Sequence, residues 1–451
     1  MKTTSQLRRL GLFDARVPRY TSYPTAPQFT ARSNASETEG WIRAIPAGAT
    51  ISLYVHIPFC RRLCWFCACR TQGTSTSAPV AAYVETLKTE LHTLAKLLPE
   101  GVRLEHLHWG GGTPTLLDPD RITDLAGAIM DVVPLAHGAQ FSVEIDPSEI
   151  DAARLDALAA AGMNRASIGV QDFDPQIQNT IGRQQSYEIT KAAVDALRDR
   201  GIGSLNMDIL YGLPHQTEAR ISESVQKVLS MSPDRVALYG YAHVPWMAKR
   251  QTLIPTDALP RPEERLSLYE TARQLFVWDD YSEIGIDHFA RPEDGLTIAQ
   301  KTGRLRRNFQ GYTEDTSETL IGIGASAISR YRQGYAQNAP GTSAYQAAIR
   351  GGELATRKGH AFSAQDIQRG RIIEALMCDF AVDFGALAAK LDVPVERLRG
   401  YADGIEDAFP GVVTLTANRL EIRPEGRPLT RMIARHFDAY SLAESGHSPA
   451  V

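Results

Sequence analysis

Hydrophobic positions along this chain follow two alternating patterns. Short apolar runs at 52–57, 103–109, 140–145, 164–170, 203–210 and 235–241 have the length of strands, and stretches of helical periodicity lie between them. Over 83–98, for example, Val84, Leu87, Leu91, Leu94 and Leu98 fall on one helical face, and similar patterns recur near 119–133, 151–161, 187–199, 217–231 and 261–278. Strand followed by helix, repeated in this way, predicts a parallel sheet. Six such units are too few to close an eight-stranded barrel. The sequence therefore predicts an α/β fold with a partial (β/α)6 TIM-type barrel.

In such a barrel the carboxyl ends of the strands meet on one face, where the active site forms. The unusual residues of this chain fall at those ends. Pro58 and a group of cysteines follow the first strand, Gly110-Gly111-Gly112-Thr113-Pro114-Thr115 the second, and Glu144-Ile145-Asp146-Pro147 ends the third. Gln171-Asp172-Phe173 follows the fourth, Asp208 and Tyr211-Gly212-Leu213-Pro214 mark the fifth, and Tyr241-Ala242-His243-Val244-Pro245 the sixth. The glycine run reads as a tight turn or as backbone that lets a ligand's amino and carboxylate groups approach, and it lacks the ending of a P-loop. Glu144 and Asp208 read in isolation as helix caps; at converging strand ends they read as acceptors for ribose hydroxyls. Gly322-Ile323-Gly324-Ala325-Ser326-Ala327 looks like a degenerate dinucleotide fingerprint but heads no βαβ unit, so it is expected to line the cavity. His106, His108 and His288 are expected as core or wall residues, and Cys378, in an apolar run, as buried packing.

Four of the five cysteines lie in one short stretch, Cys60-x-x-x-Cys64-x-x-Cys67-x-Cys69. Three thiolates at this spacing can wrap one [4Fe-4S] cluster and leave its fourth iron open to a small molecule. A zinc site would want a second ligand pair, and none follows Cys69. The spacing differs from a ferredoxin run, and a disulfide framework would not crowd four cysteines into one loop. Cys69 remains open as a fourth ligand, although the three-cysteine set is complete without it. At 451 residues and 43% hydrophobic content the chain can bury one large core and one or two smaller ones. A net charge of -4 gives no basic field for nucleic acid or an anionic membrane. The first residues form no apolar targeting core, no apolar run reaches membrane-span length, and free thiols suit a reducing cytosol.

The cysteine spacing, with Phe66 just before the third thiol, resembles the radical S-adenosylmethionine (SAM) superfamily, in which the open iron chelates SAM. Nearly the whole chain is similar to the oxygen-independent coproporphyrinogen III oxidase family of anaerobic haem biosynthesis. RYTSYPTA at 19–26, YVHIPFCRRLCWFCAC at 54–69, HWGGGTPT at 108–115 and GVQDF at 169–173 carry the likeness. So do DILYGLP at 208–214, YAHVP at 241–245, GIDHFARP at 285–292 and RNFQGYT at 307–313. The resemblance implies an amino-terminal lid segment (1–45), a radical SAM partial barrel with an extension (46–354) and a mainly helical carboxyl-terminal domain (355–451). It implies oxidative decarboxylation of two propionates of coproporphyrinogen III to vinyl groups by a 5′-deoxyadenosyl radical.

The resemblance also implies site residues. Cys60, Cys64 and Cys67 would hold the cluster, and Cys69 would serve catalysis. Of two SAM molecules, the first would touch Tyr54, Gly111, Glu144 and Ile328, and the second Phe66, Gly112, Thr113, Gln171, Arg183, Asp208 and Ala242. It further implies a cytoplasmic monomer with a reduced flavodoxin- or ferredoxin-type electron donor. A flat apolar ring bearing four carboxylates calls for arginines, with Arg19, Arg291 and Arg307 as candidates. The segment Arg19-Tyr20-Thr21-Ser22-Tyr23-Pro24 is expected to close over the site with its tyrosine faces. The alternative is a haem-binding chaperone of the same superfamily. Those relatives generally lack both the RYTSYPTA lead and a cysteine at the position of Cys69.

Overall fold

The computed structural model describes residues 2–31, 34–441 and 450. The six expected strands are present: β1 (Thr50–Ile57), β2 (Arg103–Gly111), β3 (Leu135–Ile145), β4 (Arg165–Gln171), β5 (Ser204–Tyr211) and β6 (Arg235–Gly240). They pair in parallel and in chain order. Helices α1 (Ala78–Ala95), α2 (Pro119–Val132), α3 (Ala152–Ala160), α4 (Tyr187–Arg198), α5 (Glu218–Leu229) and α6 (Pro262–Trp278) connect and cover them. Side chains of Asp118, Asp151, Ser186 and Thr217 accept first-turn N–H groups of α2 to α5 and so fix where those helices begin. Glu144 and Asp208 cap no helix. The cap reading of these two residues is therefore wrong, and their carboxylates are available elsewhere.

Strand alternation decides what the barrel contains. In β3, Phe141, Val143 and Ile145 are buried in the main hydrophobic core, while Ser142 and Glu144 line the interior cavity. The same period of two puts Tyr54 and His56 of β1, His106 and His108 of β2, Arg165 and Ser167 of β4, and Asn206 and Asp208 of β5 on the cavity wall. The interior is consequently polar, a ligand chamber rather than a packed centre.

The sheet continues beyond the six strands at both edges, to twelve in all. Beside β6 lie β7 (Ser282–Ile284) and β8 (His288–Ala290), with β8 antiparallel to both. On the other edge β9 (Leu320–Ile323) runs parallel to β1, followed by the antiparallel β10 (Ile328–Arg330), β11 (Gly334–Asn338) and β12 (Thr356–Ala361). The glycine run at 322–327 is the turn between β9 and β10. Gly324, at φ +98°, is packed so closely that a Cβ would lie 2.6 Å from the His56 carbonyl oxygen. Its N–H donates to the buried Glu90 at 2.8 Å. As expected, Ser326 and Ala327 face the cavity.

A second core gathers Ile372, Leu376, Phe384, Leu398 and Phe437 from the carboxyl-terminal helices and a small three-stranded sheet. It also takes in Leu7, Leu12, Phe13, Tyr20 and Tyr23 from the start of the chain. Trp41 and Ile42, in the helix Ala35–Arg43, belong instead to the main core. Residue 355 lies one position before β12, which completes the large sheet, so the carboxyl-terminal part of the second core comes from chain beyond that strand. Cys378 is buried, as its apolar surroundings predict.

Candidate functional site

The carboxyl ends of the strands open into a cavity of about 1200 Å³. The cysteine loop leaves β1 and is closed by a short parallel pairing of Phe59–Cys60 with Gln72–Gly73. The glycine run after β2 holds it from one side: Gly112 N–H donates to Ile57 O at 2.8 Å and Thr113 N–H to Phe59 O at 2.7 Å. A Cβ on Gly112 would come within 2.5 Å of the Phe59 carbonyl oxygen, so only glycine permits this approach. On the other side Trp65 N–H donates to Ile181 O at 2.9 Å. Gln251, fully buried, ties the loop down again. Its amide donates to Phe66 O at 2.7 Å and Ala242 O at 3.0 Å and accepts from Val244 N–H at 2.6 Å. Nothing in the sequence marks this glutamine, one of four consecutive polar residues at 249–252.

Cys60, Cys64 and Cys67 are half-buried, and the solvent that Cys69 meets is that of the cavity it lines. Burial pushes the Cys60 thiol up to about 11 and raises that of Cys64, with the Arg183 guanidinium 3.6 Å from the Cys64 sulfur acting in the opposite direction. Cys67 is shifted down, chiefly by the Cys69 thiol hydrogen bond, and the Cys69 N–H also donates to its sulfur at 3.4 Å. Buried thiols of this kind become stable thiolates when they bind a metal.

Glu144 and Asp208 face the cavity from neighbouring parts of the barrel. Burial opposes ionisation of Glu144, but the hydrogen bond with His108 at 3.4 Å and the Gly111 N–H at 2.9 Å hold its carboxyl below the ordinary value. A Cβ on Gly110 would sit 2.5 Å from the Glu144 carboxylate, which explains that glycine. Asp208 behaves in the opposite way. Burial pushes it up to about 6, moderated by the Asn206 amide that donates to it at 2.8 Å.

Of the residues singled out in the sequence, Tyr54, Phe66, Cys67, Cys69, Gly111, Glu144, Asp208, Ala242 and Ile328 line this one cavity. Cys60, Cys64, Gly112, Thr113, Gln171 and Arg183 are not among the residues that line it. Arg183 connects several of them: it donates to Gly169 O at 2.8 Å and Gln185 at 2.9 Å, and lies 3.6 Å from Asp146. Gln171, at φ +71°, ends β4 beside it.

The expected substrate arginines divide. Arg19 lines the cavity and donates to Gly240 O at 2.7 Å; Arg307 lines it too, paired with Asp287 at 3.3 Å and placed over the Tyr312 ring at 4.3 Å. Arg291 is a correction. Because β8 is antiparallel to β6, the residue after it emerges at the amino end of β6, where Arg291 pairs with Asp279 at 3.3 Å and stacks on Tyr281. It is outside the cavity. The tyrosines at 20 and 23 line the cavity but spend their hydroxyls on the carboxyl-terminal segment. Tyr20 donates to Asp438 at 3.0 Å, and Tyr23 accepts from Ala439 N–H at 3.0 Å.

Residues 54–228 match the radical SAM superfamily. An oxygen-independent coproporphyrinogen III oxidase of Paracoccus denitrificans is 64% identical over 100% of both chains. The chain belongs to the oxygen-independent coproporphyrinogen III oxidase family. Another member, from Cereibacter sphaeroides, is 59% identical over 98% of each chain. The solved structure of coproporphyrinogen III oxidase from Escherichia coli, described as a radical SAM enzyme, has a TM-score of 0.89 at 34% identity, covering 95% of this chain and 100% of that one. Members of the radical SAM superfamily use a [4Fe-4S] cluster and SAM, and the residues here fit both. The donor set is three thiols on one loop. The Arg183 Nε beside them is buried without a hydrogen-bond partner, a cationic donor left over for an anionic group.

Proposed function

We propose that this coproporphyrinogen III oxidase family chain converts two propionate side chains of coproporphyrinogen III to vinyl groups, giving protoporphyrinogen IX. The observation that carries the reading is one cavity, with polar strand residues set in a largely apolar wall, which joins the cysteine loop to arginines and aromatic rings. The cluster and SAM, when bound, supply a 5′-deoxyadenosyl radical able to remove a hydrogen atom from a propionate β-carbon. Everything else falls to the protein. Cys60, Cys64 and Cys67 hold the cluster. Glu144 and Asp208 accept hydroxyl hydrogens of ribose, Arg183 pairs with a carboxylate, and Gly111 lets a ligand lie against backbone. Tyr54, Phe66, Ala242 and Ile328 form apolar contacts around the adenosyl groups, and Gly112, Thr113 and Gln171 hold the walls that shape the second SAM site. Cys69 serves the reaction from the cavity side. The segment at 19–24, docked on residues 438–439, shields the cavity from solvent. Electrons come from a reduced flavodoxin- or ferredoxin-type donor to a monomer in the cytoplasm. Among the described residues no helix is long and apolar enough to cross a membrane.

Two propionates require two radicals. Each protoporphyrinogen IX formed anaerobically should therefore accompany two methionines and two 5′-deoxyadenosines, and one of each per product would contradict the two-SAM site. Asp208→Asn should weaken the second SAM about tenfold while leaving the first nearly unchanged, because a hydrogen bond to a charged acceptor is worth about 1.5–3 kcal/mol. The pH dependence follows from the sign of the shift. With Asp208 pushed up to about 6, its carboxylate is present above that pH and protonated below it. Affinity for the second SAM should fall as pH drops from about 7.5 to 5.5, and the Asn variant should show a flat profile. Equilibrium binding across that range measures both, and an equally steep fall in the variant would take the role away from Asp208.

A further inference from the structure

Past the cofactor end, the cavity reaches a wall made by β10, the hairpin around Arg306–Asn308, and the helix Ala364–Asp379. Three guanidiniums stand there around one carboxylate. Arg306 donates to Glu374 at 2.7 Å and Arg371 donates to its other oxygen at 2.9 Å. Burial opposes ionisation of Glu374, yet the charges of Arg306, Arg371 and Arg330 hold its carboxyl down at about 2. Nearby acids are committed elsewhere: Asp366 to Ser363 and Tyr440, Asp315 to Ser52 and the Ser317 N–H. Arg330 and Arg371 line the cavity, and the guanidinium of Arg330 has no hydrogen-bond or ion-pair partner among the described residues. Positive charge is in excess here, beside an open chamber.

Contrast with the arginines nearer the barrel strands is informative. Arg307 is already neutralised by Asp287, and Arg19 has given a donor to a backbone carbonyl. Along β10, Ile328 and Arg330 are half-exposed while Ser329 between them is buried, so these two share the cavity face about 6.5 Å apart along the strand. Arg330 thus lies one side-chain step beyond the position where Ile328 would meet SAM. Next to it Phe309, Tyr335 and Phe362 form an aromatic wall, with ring centroids 5.8 Å and 5.0 Å apart in edge-on pairs. All three line the cavity.

A guanidinium stabilises a carboxylate but not the CO2 it would become, so tight pairing in the ground state would slow decarboxylation. An arginine that makes no hydrogen bond or ion pair among the described residues, and only shares the field of Glu374 with Arg306 and Arg371, therefore suits a propionate that persists through turnover. We propose that Arg330, assisted by Arg371, binds the two propionates that the reaction leaves intact and lays the ring edge against the Phe309–Tyr335–Phe362 wall. That anchoring turns the other two propionates toward the cofactor end and makes Arg330 a determinant of which side chains react. The assignment rests on the functional reading above.

The test uses cluster-reconstituted protein without reductant and two air-stable porphyrins, with binding followed by fluorescence. Coproporphyrin III carries all four propionates, whereas mesoporphyrin IX keeps only the retained pair and has ethyl groups in place of the other two. Arg330→Ala should weaken both about tenfold or more, as expected for losing a charge-assisted bidentate pair. Arg330→Lys should keep the larger part of the affinity, and Arg371→Gln should show a smaller loss in the same direction. Arg330 makes no hydrogen bond or ion pair with another described residue, and Arg306 and Arg371 still hold Glu374 without it, so its variants should melt close to the wild type. A loss seen with coproporphyrin III alone would place Arg330 on a reactive propionate and overturn the assignment, as would unchanged affinity for both. Wild-type protein that bound neither porphyrin would overturn the functional reading itself, and the assignment with it.

Discussion

Serine at Cys60, Cys64 or Cys67 should each strip the protein of its cluster and of all SAM-dependent activity, while Cys69→Ser should keep iron and sulfide at the wild-type level. The reason lies in how the loop is built. Its two ends are pinned by the pairing of Phe59–Cys60 with Gln72–Gly73, and its middle by Trp65 on Ile181 and Gln251 on Phe66, so the backbone fixes where each of the three thiols stands. Cys69 faces the cavity and acts on the three-thiol set through Cys67, whose sulfur takes both its thiol hydrogen bond and its N–H. Activity of Cys69→Ser should nonetheless drop, because its thiol faces the cavity proposed to hold the substrate. Iron and sulfide analysis after anaerobic reconstitution decides the matter. If Cys69→Ser lost iron as fully as the other three, the cluster would be closed by four thiolates and the open-iron reading would fail.

Deleting residues 1–25 should unfold the carboxyl-terminal region beyond about residue 364 rather than simply uncover the cavity. Leu7, Leu12, Phe13, Tyr20 and Tyr23 are buried in the second core. Arg431 reaches back to the Val17 and Pro18 carbonyls, and Tyr20 to Asp438. Loss of a single large core side chain costs about 2–5 kcal/mol, so five together approach or exceed the about 5–15 kcal/mol by which whole domains are stable. The truncated chain should show early proteolysis within 364–441 and a melting transition lowered by well over 10 °C, roughly as such a loss requires. A truncated protein that melted with the wild type would mean that these side chains contribute little packing. Shielding of the cavity is better probed by Arg19→Ala. That change leaves the second core intact, and it should uncouple SAM cleavage from product formation, seen as excess 5′-deoxyadenosine per product.

The parts of this fold that could be read from the sequence share a physical cause. Each of the six central strands is long enough to carry a period, and several following helices start at a capping residue such as Asp118 or Thr217. Of the strands that the pattern does not reveal, His288–Ala290 and Ile328–Arg330 are three residues long and have no period to show, and Thr356–Ala361, though longer, carries no apolar alternation in its sequence TRKGHA. Missing β8 also misplaced Arg291, since an antiparallel strand delivers its following residue to the opposite end of the barrel. The thiol loop, the glycine run and Glu144 could be found because their chemistry is compressed into short segments. Gln251 and Arg330 could not, because each gains its meaning only from chain brought close by folding, as Gln251 does from Phe66 and the Arg330 wall from the approach of Glu374 to Arg306. The tyrosines at 20 and 23 were visible as a pair, but their hydroxyl partners are more than four hundred residues away.

The most direct test of the whole account is a strictly anaerobic incubation of the reconstituted protein with coproporphyrinogen III, SAM and a low-potential reductant, with products separated after air oxidation. The account predicts protoporphyrin IX, two CO2 for each molecule formed, and no product from the Cys60→Ser protein. Unchanged coproporphyrin, together with tight haem binding and its transfer to an acceptor protein, would contradict it and favour a haem chaperone.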